Sequence, residues 1–397
     1  MQRSELTEQF YEIYGRSGGV PRLFFAPGRV NLIGEHTDYN GGHVFPCALS
    51  LGIYAAVRPR EDRQVRLYSE KRSETGIVDV SLDAIAFQKE AHWANYPLGV
   101  FDRFEKDGRS LPFGMDILYQ ADMPVGAGLG SSAAIEVLTG LLIRELCGFD
   151  DLTMMGLAES ALISEHEFMG VPCGIMDPVV TAEAHAGEAI FMSTSPLKLR
   201  YVPLHMEGCR IVITDTRIHH HVANSDYNRR KEECERALRK LQSVANIRAL
   251  CDLSPERFES CKDVIMDPVL IRRAHHVVYE NVRCVRALSA LRVSKIDLFG
   301  RLMNESHASL RDNYEVSCPE LDFLQAEAVK LPGVIGSRMM GAGFGGCTVS
   351  IVRENTAEDF MRQMDALYAE RFGIHPGCWM ARTGDGAREI KEDQDGV

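Results

Sequence analysis

The chain has 397 residues, which is long enough for two domains with separate apolar cores. Its composition, 45% hydrophobic and 25% charged, is that of an ordinary soluble protein, and its net charge of −12 argues against nucleic acid as a partner. No apolar run approaches the roughly 20 residues of a membrane span, and the first 15 residues carry charges throughout, so we expect a cytoplasmic protein without membrane contact.

The first motif follows a short helix around residues 6–14 and a strand that begins at Leu23. It reads G-R-V-N-L-I-G-E-H-T-D-Y-N over 28–40. Its polar side chains are mixed with apolar residues that alternate as in a half-buried strand, so they must be hydrogen-bonded. They satisfy either one another or a polyhydroxylated ligand, because carboxylates that accept from neighbouring hydroxyls are the chemistry of a sugar pocket.

Four strands are predicted next, at 44–46, 53–57, 65–68 and 77–82, and a helix at 92–106. Trp93 could line a base pocket, but we favour a packing role. A further strand, at 113–120, leads into the second motif.

The second motif, residues 124–134, reads P-V-G-A-G-L-G-S-S-A-A and lies between that strand and a predicted helix at 133–147. A glycine-rich turn that opens a helix collects unpaired backbone N–H groups and the positive end of the helix dipole, which suits a phosphate. The hydroxyls of Ser131 and Ser132 could cap the helix or bind a phosphate-bound Mg2+.

Other interpretations of the second motif are a plain turn before a serine-capped helix, a Walker A loop and a dinucleotide-binding turn. A Walker A loop needs a lysine after the last glycine, but Ser131 follows Gly130. A dinucleotide fold needs a second parallel strand after the helix, whereas Gly148 leads into another helical pattern at 152–167. The motif therefore predicts a phosphate loop of a third kind.

The pattern changes near residue 190. Strands are predicted at 190–192, 199–201 and 210–214, in a new sheet, and helices dominate 226–241 and 269–311. A second glycine-rich loop, residues 336–346, leads into a strand at 347–352, and a helix at 356–372 and a strand at 378–382 follow. We place a domain boundary between about 185 and 205, which divides the chain into residues 1–195 and 196–397.

Metal and disulfide signals are weak. The eleven cysteines include no Cys-x-x-Cys pair, so zinc is not expected, and Cys173 and Cys347 are interpreted as small buried residues. The tract His219–His221 lacks a further ligand at metal spacing. It is interpreted as a loop before the helix that presents Tyr227.

Together the motifs and the predicted elements resemble those of the galactokinases, a family of the GHMP small-molecule kinases, over nearly the whole chain. The first motif is close to diagnostic for that family. The second motif and a third, G-A-G-F-G-G-C at 341–347, are shared with mevalonate and homoserine kinases.

The resemblance implies an α+β protein with the two-domain GHMP kinase fold and the active site in the cleft between the domains. Residues 1–195 would form the sugar and phosphate-loop domain, and residues 196–397 an α+β, ferredoxin-like domain. The implied reaction transfers a phosphoryl group from ATP to the anomeric hydroxyl of galactose, giving galactose 1-phosphate and ADP. The implied galactose contacts are Arg29, Glu35, His36, Asp38, Gly174, Asp177 and Tyr227.

The resemblance also assigns the nucleotide side of the site. Mg2+ would be held by Ser132 and Glu165, and Asp177 would be the base or the orienting group, with Arg29 stabilising charge. An adjacent arginine stabilises a carboxylate and makes it a weaker base, so the sequence leaves the role of Asp177 open. The implied phosphate contacts are Gly126, Ala127, Gly128, Leu129, Gly130, Ser131, Ser132 and Ala133.

Two residues depart from the family pattern. Pro178 stands where galactokinases usually carry glutamine, and it predicts an extended backbone at Asp177. Gly130 replaces the first of three serines. The alternatives are a kinase for N-acetylgalactosamine or arabinose, a galactose and ATP sensor without catalysis, and, less favoured, a dinucleotide-dependent oxidoreductase. The oligomeric state is not readable, and a monomer is the working expectation.

Overall fold

The computed structural model describes residues 3–171, 173–218 and 223–391, without the side chains of 223–225. These residues form eleven α-helices and thirteen strands, in agreement with the predicted α+β class. The helices are α1 (Arg3–Tyr14), α2 (Asn95–Lys106), α3 (Ser131–Cys147), α4 (Met154–Glu167), α5 (Met176–Glu183), α6 (Ala223–Leu241), α7 (Pro255–Cys261), α8 (Pro268–Arg292), α9 (Ile296–Ser309), α10 (Pro319–Ala328) and α11 (Glu354–Phe372). The strands are β1 (Arg22–Asn31), β2 (His43–Val44), β3 (Pro46–Pro59), β4 (Gln64–Ser69), β5 (Val78–Ser81), β6 (Met115–Ala121), β7 (Glu188–Thr194), β8 (Leu197–Pro203), β9 (Cys209–Asp215), β10 (Val334–Met339), β11 (Cys347–Arg353), β12 (Gly377–Ala381) and β13 (Arg388–Glu389).

The first sheet has six strands in the order β13-β1-β3-β6-β4-β5, and only the β4–β6 pair is parallel. Neighbouring residues of its strands face opposite sides. Leu23 packs with Phe10 of α1 on one side, whereas Phe24 joins the large core that includes the apolar residues of α2 and α3. The sheet is therefore covered on both faces, and its central strands carry almost continuous apolar runs.

Two predicted elements of this half differ from the structure. The strand predicted at 44–46 is divided between β2, which ends at Val44, and β3, which begins at Pro46. The strand predicted at 53–57 is part of β3, whose 14 residues pair with β1 and β6. The helix predicted at 92–106 begins at Asn95, after a 3-10 segment, Lys89–Ala94, in which His92 has a positive φ of 43°. A residue in that conformation cannot continue an α-helix.

The second half contains a four-stranded antiparallel sheet, β10-β11-β9-β12. Val212 and Val352 pack with Phe360 of α11 on one face. A separate three-stranded sheet, β2-β7-β8, joins the halves, so the prediction that 190–192 and 199–201 share a sheet with 210–214 is wrong. Pairing with β2, a contact distant in sequence, decides their position. The boundary after residue 195, which lies in the β7–β8 hairpin, stays a prediction.

Two further points complete the comparison. The long helical pattern at 269–311 is divided into α8 and α9, because the chain turns at 293–295, where Ser294 has a φ of 54°. The His219–His221 tract lies outside the described residues. Within the described part of the chain, no helix combines the length and the apolar character needed to cross a bilayer.

Candidate active site

A cavity of about 340 Å³ lies where β1, α5, α6 and the third motif meet. All seven residues predicted to contact a sugar and both residues predicted to hold a metal line it. Residues that the sequence reasoning missed also line the wall: Tyr39, Gly170, Val171, Cys173, Met176, Asn228, Gly341 and Ala342. Most of these are neighbours of the predicted residues, so proximity to a motif is the signal that could have found them.

Arg29 is directed into this cavity by a bulge. The register between β1 and β3 shifts between Pro27 and Arg29, and a Cβ atom on Gly28 would lie 2.4 Å from the sulfur of Met123. The bulged residue must therefore be glycine. The backbone N–H of Arg29 then donates to the carbonyl of Leu129 at 2.9 Å, which ties β1 to the second motif.

The Arg29 guanidinium forms a two-point pair with Asp177. Its Nε donates to Oδ1 at 2.6 Å and its Nη2 donates to Oδ2, while Nη1 donates to the carbonyl of Gly128. Burial disfavours the charged form of Arg29, but the neighbouring carboxylates, above all Asp177, outweigh it and keep its pKa above the usual value. Arg29 thus stays protonated beside the phosphate loop, within an ion pair that is neutral overall.

Asp177 lies in the first turn of α5, and the predicted extended backbone at this residue is wrong. Pro178 is also within that first turn, where a backbone N–H has no intrahelical acceptor, so the missing donor costs nothing. The helix starts after Gly174 and carries the Asp177 side chain to the cavity wall, where it is 25% exposed. The helical turn, rather than an extended segment, orients the carboxylate.

Glu35 and His36 are satisfied mainly by the protein. Glu35 accepts from the side-chain amide of Asn31 and from the backbone N–H of Gly341 at 2.8 Å. Burial lowers the pKa of His36 to about 3, so its ring is neutral at pH 7. Its Nε2 lies 3.2 Å from the carbonyl of Ala342 and must be the donor, so Nδ1 accepts from the hydroxyl of Tyr39 at 2.7 Å.

Asp38 has more acceptor capacity left for a ligand. Burial raises the pKa of its carboxyl to about 6, although the backbone N–H of Tyr39 stabilises the ionised form. A Cβ atom on Gly174 would lie 2.6 Å from Oδ2 of Asp38, so only glycine lets these two segments approach so closely. Tyr227 of α6 closes the same side of the cavity.

The second motif forms a compact loop before α3. Gly126, Gly128 and Gly130 have positive φ values of 77°, 86° and 72°, as the glycines were expected to. Among the residues between and after them, Ala127, Leu129 and Ala133 point into the core. Their contribution to a phosphate site can only come from the backbone.

The serines of this loop act differently from simple helix caps. Gly130 is the N-cap of α3 and makes no side-chain cap, so the interpretation of a serine-capped helix is wrong. The hydroxyl of Ser131 accepts from the backbone N–H of Gly126 at 3.2 Å and closes the loop. Ser132, one residue further along, faces the cavity.

Ser132 and Glu165 both line the cavity; burial raises the pKa of the Glu165 carboxyl, and the Ser132 hydroxyl is close enough to offset part of that rise. The carboxylate accepts from the thiol of Cys173 at 3.1 Å, so Cys173, expected to be buried, is a half-buried wall residue. Glu136, one turn after Ser132, is fully buried, and neither of its carboxylate oxygens has a partner among the described residues. Burial, with Glu165 nearby, raises the pKa of Glu136 well above its usual value.

This donor set fits Mg2+. The ion prefers oxygen ligands and is usually held by one or two carboxylates together with substrate phosphates. The hydroxyl of Ser132 and the carboxylate of Glu165 are such ligands, and they lie at the end of the phosphate loop. Among the described residues no cluster of three His, Cys, Asp or Glu side chains could hold a metal ion.

A second cavity, of about 550 Å³, lies on the other side of the phosphate loop. It shares Ser132 with the first cavity and is also lined by Gly126 and Ser131. Trp93, expected only to pack, does contact Tyr119 at a centroid distance of 5.9 Å, but it also lines this cavity, as Tyr96 does. The sequence carries only a weak signal for this aromatic cavity wall, because these aromatic residues come from three separate elements.

Comparisons with known proteins agree with this geometry. The galactokinase galactose-binding signature matches residues 8–59, and the N-terminal and C-terminal domains of the GHMP kinases match residues 95–184 and 287–370. The galactokinase of Clostridium acetobutylicum is 46% identical over 97% of this chain and 98% of its own length. That of Bacillus subtilis is 45% identical over 98% of this chain and 99% of its own length.

Solved structures show the same relationship. The crystal structure of Lactococcus lactis galactokinase complexed with galactose superposes with a TM-score of 0.92 at 37% identity, covering 98% of this chain and 99% of that one. The mevalonate kinase of Methanococcus jannaschii has a TM-score of 0.64 at 18% identity, covering 92% of this chain and 99% of that one, and shares the fold. The chain therefore has the GHMP kinase fold and belongs to the galactokinase family.

Proposed function

We propose that this kinase transfers the γ-phosphoryl group of ATP to the anomeric hydroxyl of galactose, giving galactose 1-phosphate and ADP. One observation carries the proposal. Residues from four distant segments, all predicted as sugar or metal contacts, line one cavity of about 340 Å³, and this cavity meets a second one at Ser132 of the phosphate loop. A sugar on one side and a nucleotide on the other would bring acceptor and donor together at that loop.

Galactose would occupy the first cavity. Asp38 and Glu35 supply acceptors for its hydroxyl groups, and Gly174, beside Asp38, and Tyr227 also line the cavity. The family assignment and the galactose bound by the Lactococcus lactis galactokinase support this choice of sugar. Because both ring nitrogens of His36 already have protein partners, the ring would contact the sugar through its carbon atoms.

ATP would place its phosphates on residues 126–133 and its base in the second cavity. The volume of about 550 Å³ falls in the range of small-molecule sites, and Trp93 and Tyr96 give it aromatic walls. Mg2+ bound to Ser132 and Glu165 would neutralise charge on the phosphates.

Asp177 would orient the anomeric hydroxyl and accept its proton. Arg29 occupies one site on each of its oxygens, but a carboxylate offers about four lone-pair positions, so two remain for the hydroxyl. Asp177 would take the proton late in a loose transition state. Arg29 would then stabilise the charge on the transferred group.

The test is ADP release by the purified protein with Mg2+ and ATP. The panel of acceptors is galactose, glucose, talose, N-acetylgalactosamine, arabinose, mevalonate and homoserine. We expect turnover with galactose and its close deoxy analogues. Turnover confined to N-acetylgalactosamine or arabinose would identify that sugar as the substrate instead of galactose. No turnover with any acceptor of the panel, while galactose still raises the melting temperature, would favour a sensor without catalysis.

A cytoplasmic location and a monomeric state remain predictions from the sequence. Size-exclusion chromatography with light scattering tests the second, with a mass of 44.3 kDa expected.

A further inference from the structure

The third motif forms the loop between β10 and β11, and two adjacent residues of the first motif hold it. The backbone N–H of Gly341 donates to Oε1 of Glu35 at 2.8 Å, and Nε2–H of His36 donates to the carbonyl of Ala342 at 3.2 Å. Glu35 and His36 therefore bind two successive residues of the loop. We call these two contacts the clamp.

The opposite side of the same loop packs against the phosphate loop. A Cβ atom on Gly341 would lie 3.5 Å from the Cα of Gly128, and one on Gly346 would lie 3.2 Å from the carbonyl oxygen of Ala127. Both glycines of the third motif have positive φ, 74° and 78°, which L side chains rarely adopt. The two loops thus meet backbone to backbone, without flexible side chains between them.

His36 is itself held from behind by a chain of hydrogen bonds. Its Nδ1 accepts from the hydroxyl of Tyr39, whose oxygen lies 2.8 Å from the hydroxyl of Tyr314, and Tyr314 in turn lies 3.1 Å from the thiol of Cys234. Since the Tyr39 proton is donated to His36, Tyr314 is the donor to Tyr39. Tyr314 is fully buried at the end of a π-helical turn and does not line either cavity.

The first motif and the third motif each contain a residue with a strained backbone. His36 has a φ of 64° and Phe344, in the third motif, has a φ of 60°. Residues other than glycine keep this conformation only where their surroundings enforce it. The hydrogen-bonded chain enforces it at His36, so the clamp depends on Tyr39, which lines the first cavity, and on Tyr314 and Cys234, which line neither cavity.

We propose that the clamp couples the two substrate sites, so that galactose and the nucleotide strengthen each other's binding. The inference rests on the proposed function, because it takes galactose and ATP as the ligands. Galactose packed against Glu35 and His36 immobilises the third motif on the phosphate loop. A nucleotide that binds afterwards finds the loop already ordered, and the same gain applies in the reverse order. Tyr314 is a positioning residue that acts through Tyr39 on His36.

The experiment measures galactose affinity by calorimetry with and without a saturating complex of Mg2+ and a non-hydrolysable ATP analogue. The ratio of the two affinities is the coupling. We expect a ratio of about fivefold or more in the wild-type protein, and a ratio near one in Tyr314→Phe. The matched control is Tyr14→Phe, because Tyr14 is also buried and its hydroxyl donates to the carbonyl of Ile117 at 2.9 Å, in the first sheet and in neither loop.

The outcomes separate the coupling from a general structural effect. Equal ratios in Tyr314→Phe and the wild type, or a wild-type ratio of one, would overturn the proposal while leaving galactose as the substrate. A ratio lost equally in Tyr14→Phe would also overturn it, since the effect would then be non-specific. If Tyr314→Phe does not fold, Tyr39→Phe tests the same chain at its next member. A wild-type protein that binds the nucleotide but never galactose would contradict the proposed function as well.

Discussion

Arg29 and Asp177 form a two-point ion pair in which Nε donates to Oδ1 at 2.6 Å and Nη2 donates to Oδ2. The pair connects the phosphate loop to helix α5, because the third donor of Arg29 binds the carbonyl of Gly128. It fixes the Asp177 carboxylate before any substrate arrives. Pre-oriented groups of this kind lower the reorganisation needed during phosphoryl transfer.

Replacing Asp177 tests the role that we give it. Asp177→Asn keeps the shape and a hydrogen bond to Arg29 but cannot take a proton. We expect turnover to fall by about 10²-fold or more, with little change in the affinity for an ATP analogue, because no contact to the nucleotide is removed. Asp177→Ala should abolish transfer. Near-wild-type turnover in either variant would contradict both the base and the orienting role.

The residue at position 130 limits the space next to the Arg29–Asp177 ion pair. A Cβ atom on Gly130 would lie 3.2 Å from Cγ of Arg29 and 3.3 Å from Oδ2 of Asp177, and Gly130 has a φ of 72°. We expect Gly130→Ala to cost about 1 kcal/mol of stability and to lower kcat. Gly148→Ala is the control, because Gly148 ends the same helix with a φ of 71° and nothing within 4 Å. Equal loss of kcat in both variants would show that backbone strain alone is responsible.

Replacing Ser132 and replacing Ser131 should have different effects on the Mg2+ requirement of the reaction. Ser132→Ala removes a proposed ligand, so the Mg2+ concentration for half-maximal rate should rise. Ser131→Ala removes only the hydroxyl that accepts from Gly126 N–H at 3.2 Å, so it should raise the KM for ATP and leave the Mg2+ requirement unchanged. Titrations of rate against Mg2+ at saturating ATP check both. An unchanged requirement in Ser132→Ala counts against this ligand.

The pKa of Asp38, about 6 because of burial, predicts a pH dependence of galactose binding. Sugar hydroxyls donate to the ionised carboxylate, so binding should release a proton near pH 6 and weaken as the pH falls below 6. Calorimetry in buffers of different ionisation enthalpy measures the release. Asp38→Asn should abolish it, and proton release that persists in this variant would assign it to another group.

The same group predicts a stability effect in the absence of sugar. Because the folded pKa lies above the unfolded value of 3.8, the folded state is penalised as the pH rises from 3.8 through 6. Asp38→Asn should therefore gain melting temperature relative to the wild type over this interval and keep a constant advantage above it. A difference that does not change between pH 4 and pH 7 would contradict this.

Asp116 should be a major contributor to stability far from the site. Its carboxylate is 3% exposed and pairs with Arg58, Arg60 and Arg66. Asp116→Ala leaves buried positive charge unpaired and should cost about 3–5 kcal/mol in urea unfolding at pH 7. The control is Asp62→Ala, because Asp62 also pairs with Arg60 but is exposed, and it should change stability little. Similar losses in the two variants would contradict the importance of burial.

The sequence alone was sufficient for the three motifs, the α+β class and the family. Positions that need a positive φ, such as Gly126 and Gly128, are visible in the sequence as glycines, because few other residues tolerate that backbone conformation. Polar residues set among apolar ones, such as Arg29 and Asp38, are similarly visible since burial without partners is costly. These properties depend on neighbours in sequence, and the chain alone reveals them.

Tertiary structure decided which residues from different parts of the chain come into contact. The place of β7 and β8 beside β2, the helical turn at Asp177, the aromatic walls of the second cavity and the contact of Glu35 with Gly341 all join residues that are far apart in sequence. Local patterns carry no information on such pairings, because they depend on how whole elements pack. The motifs, through the family that they resemble, therefore indicated the chemistry of this protein, and only packing determined which groups meet.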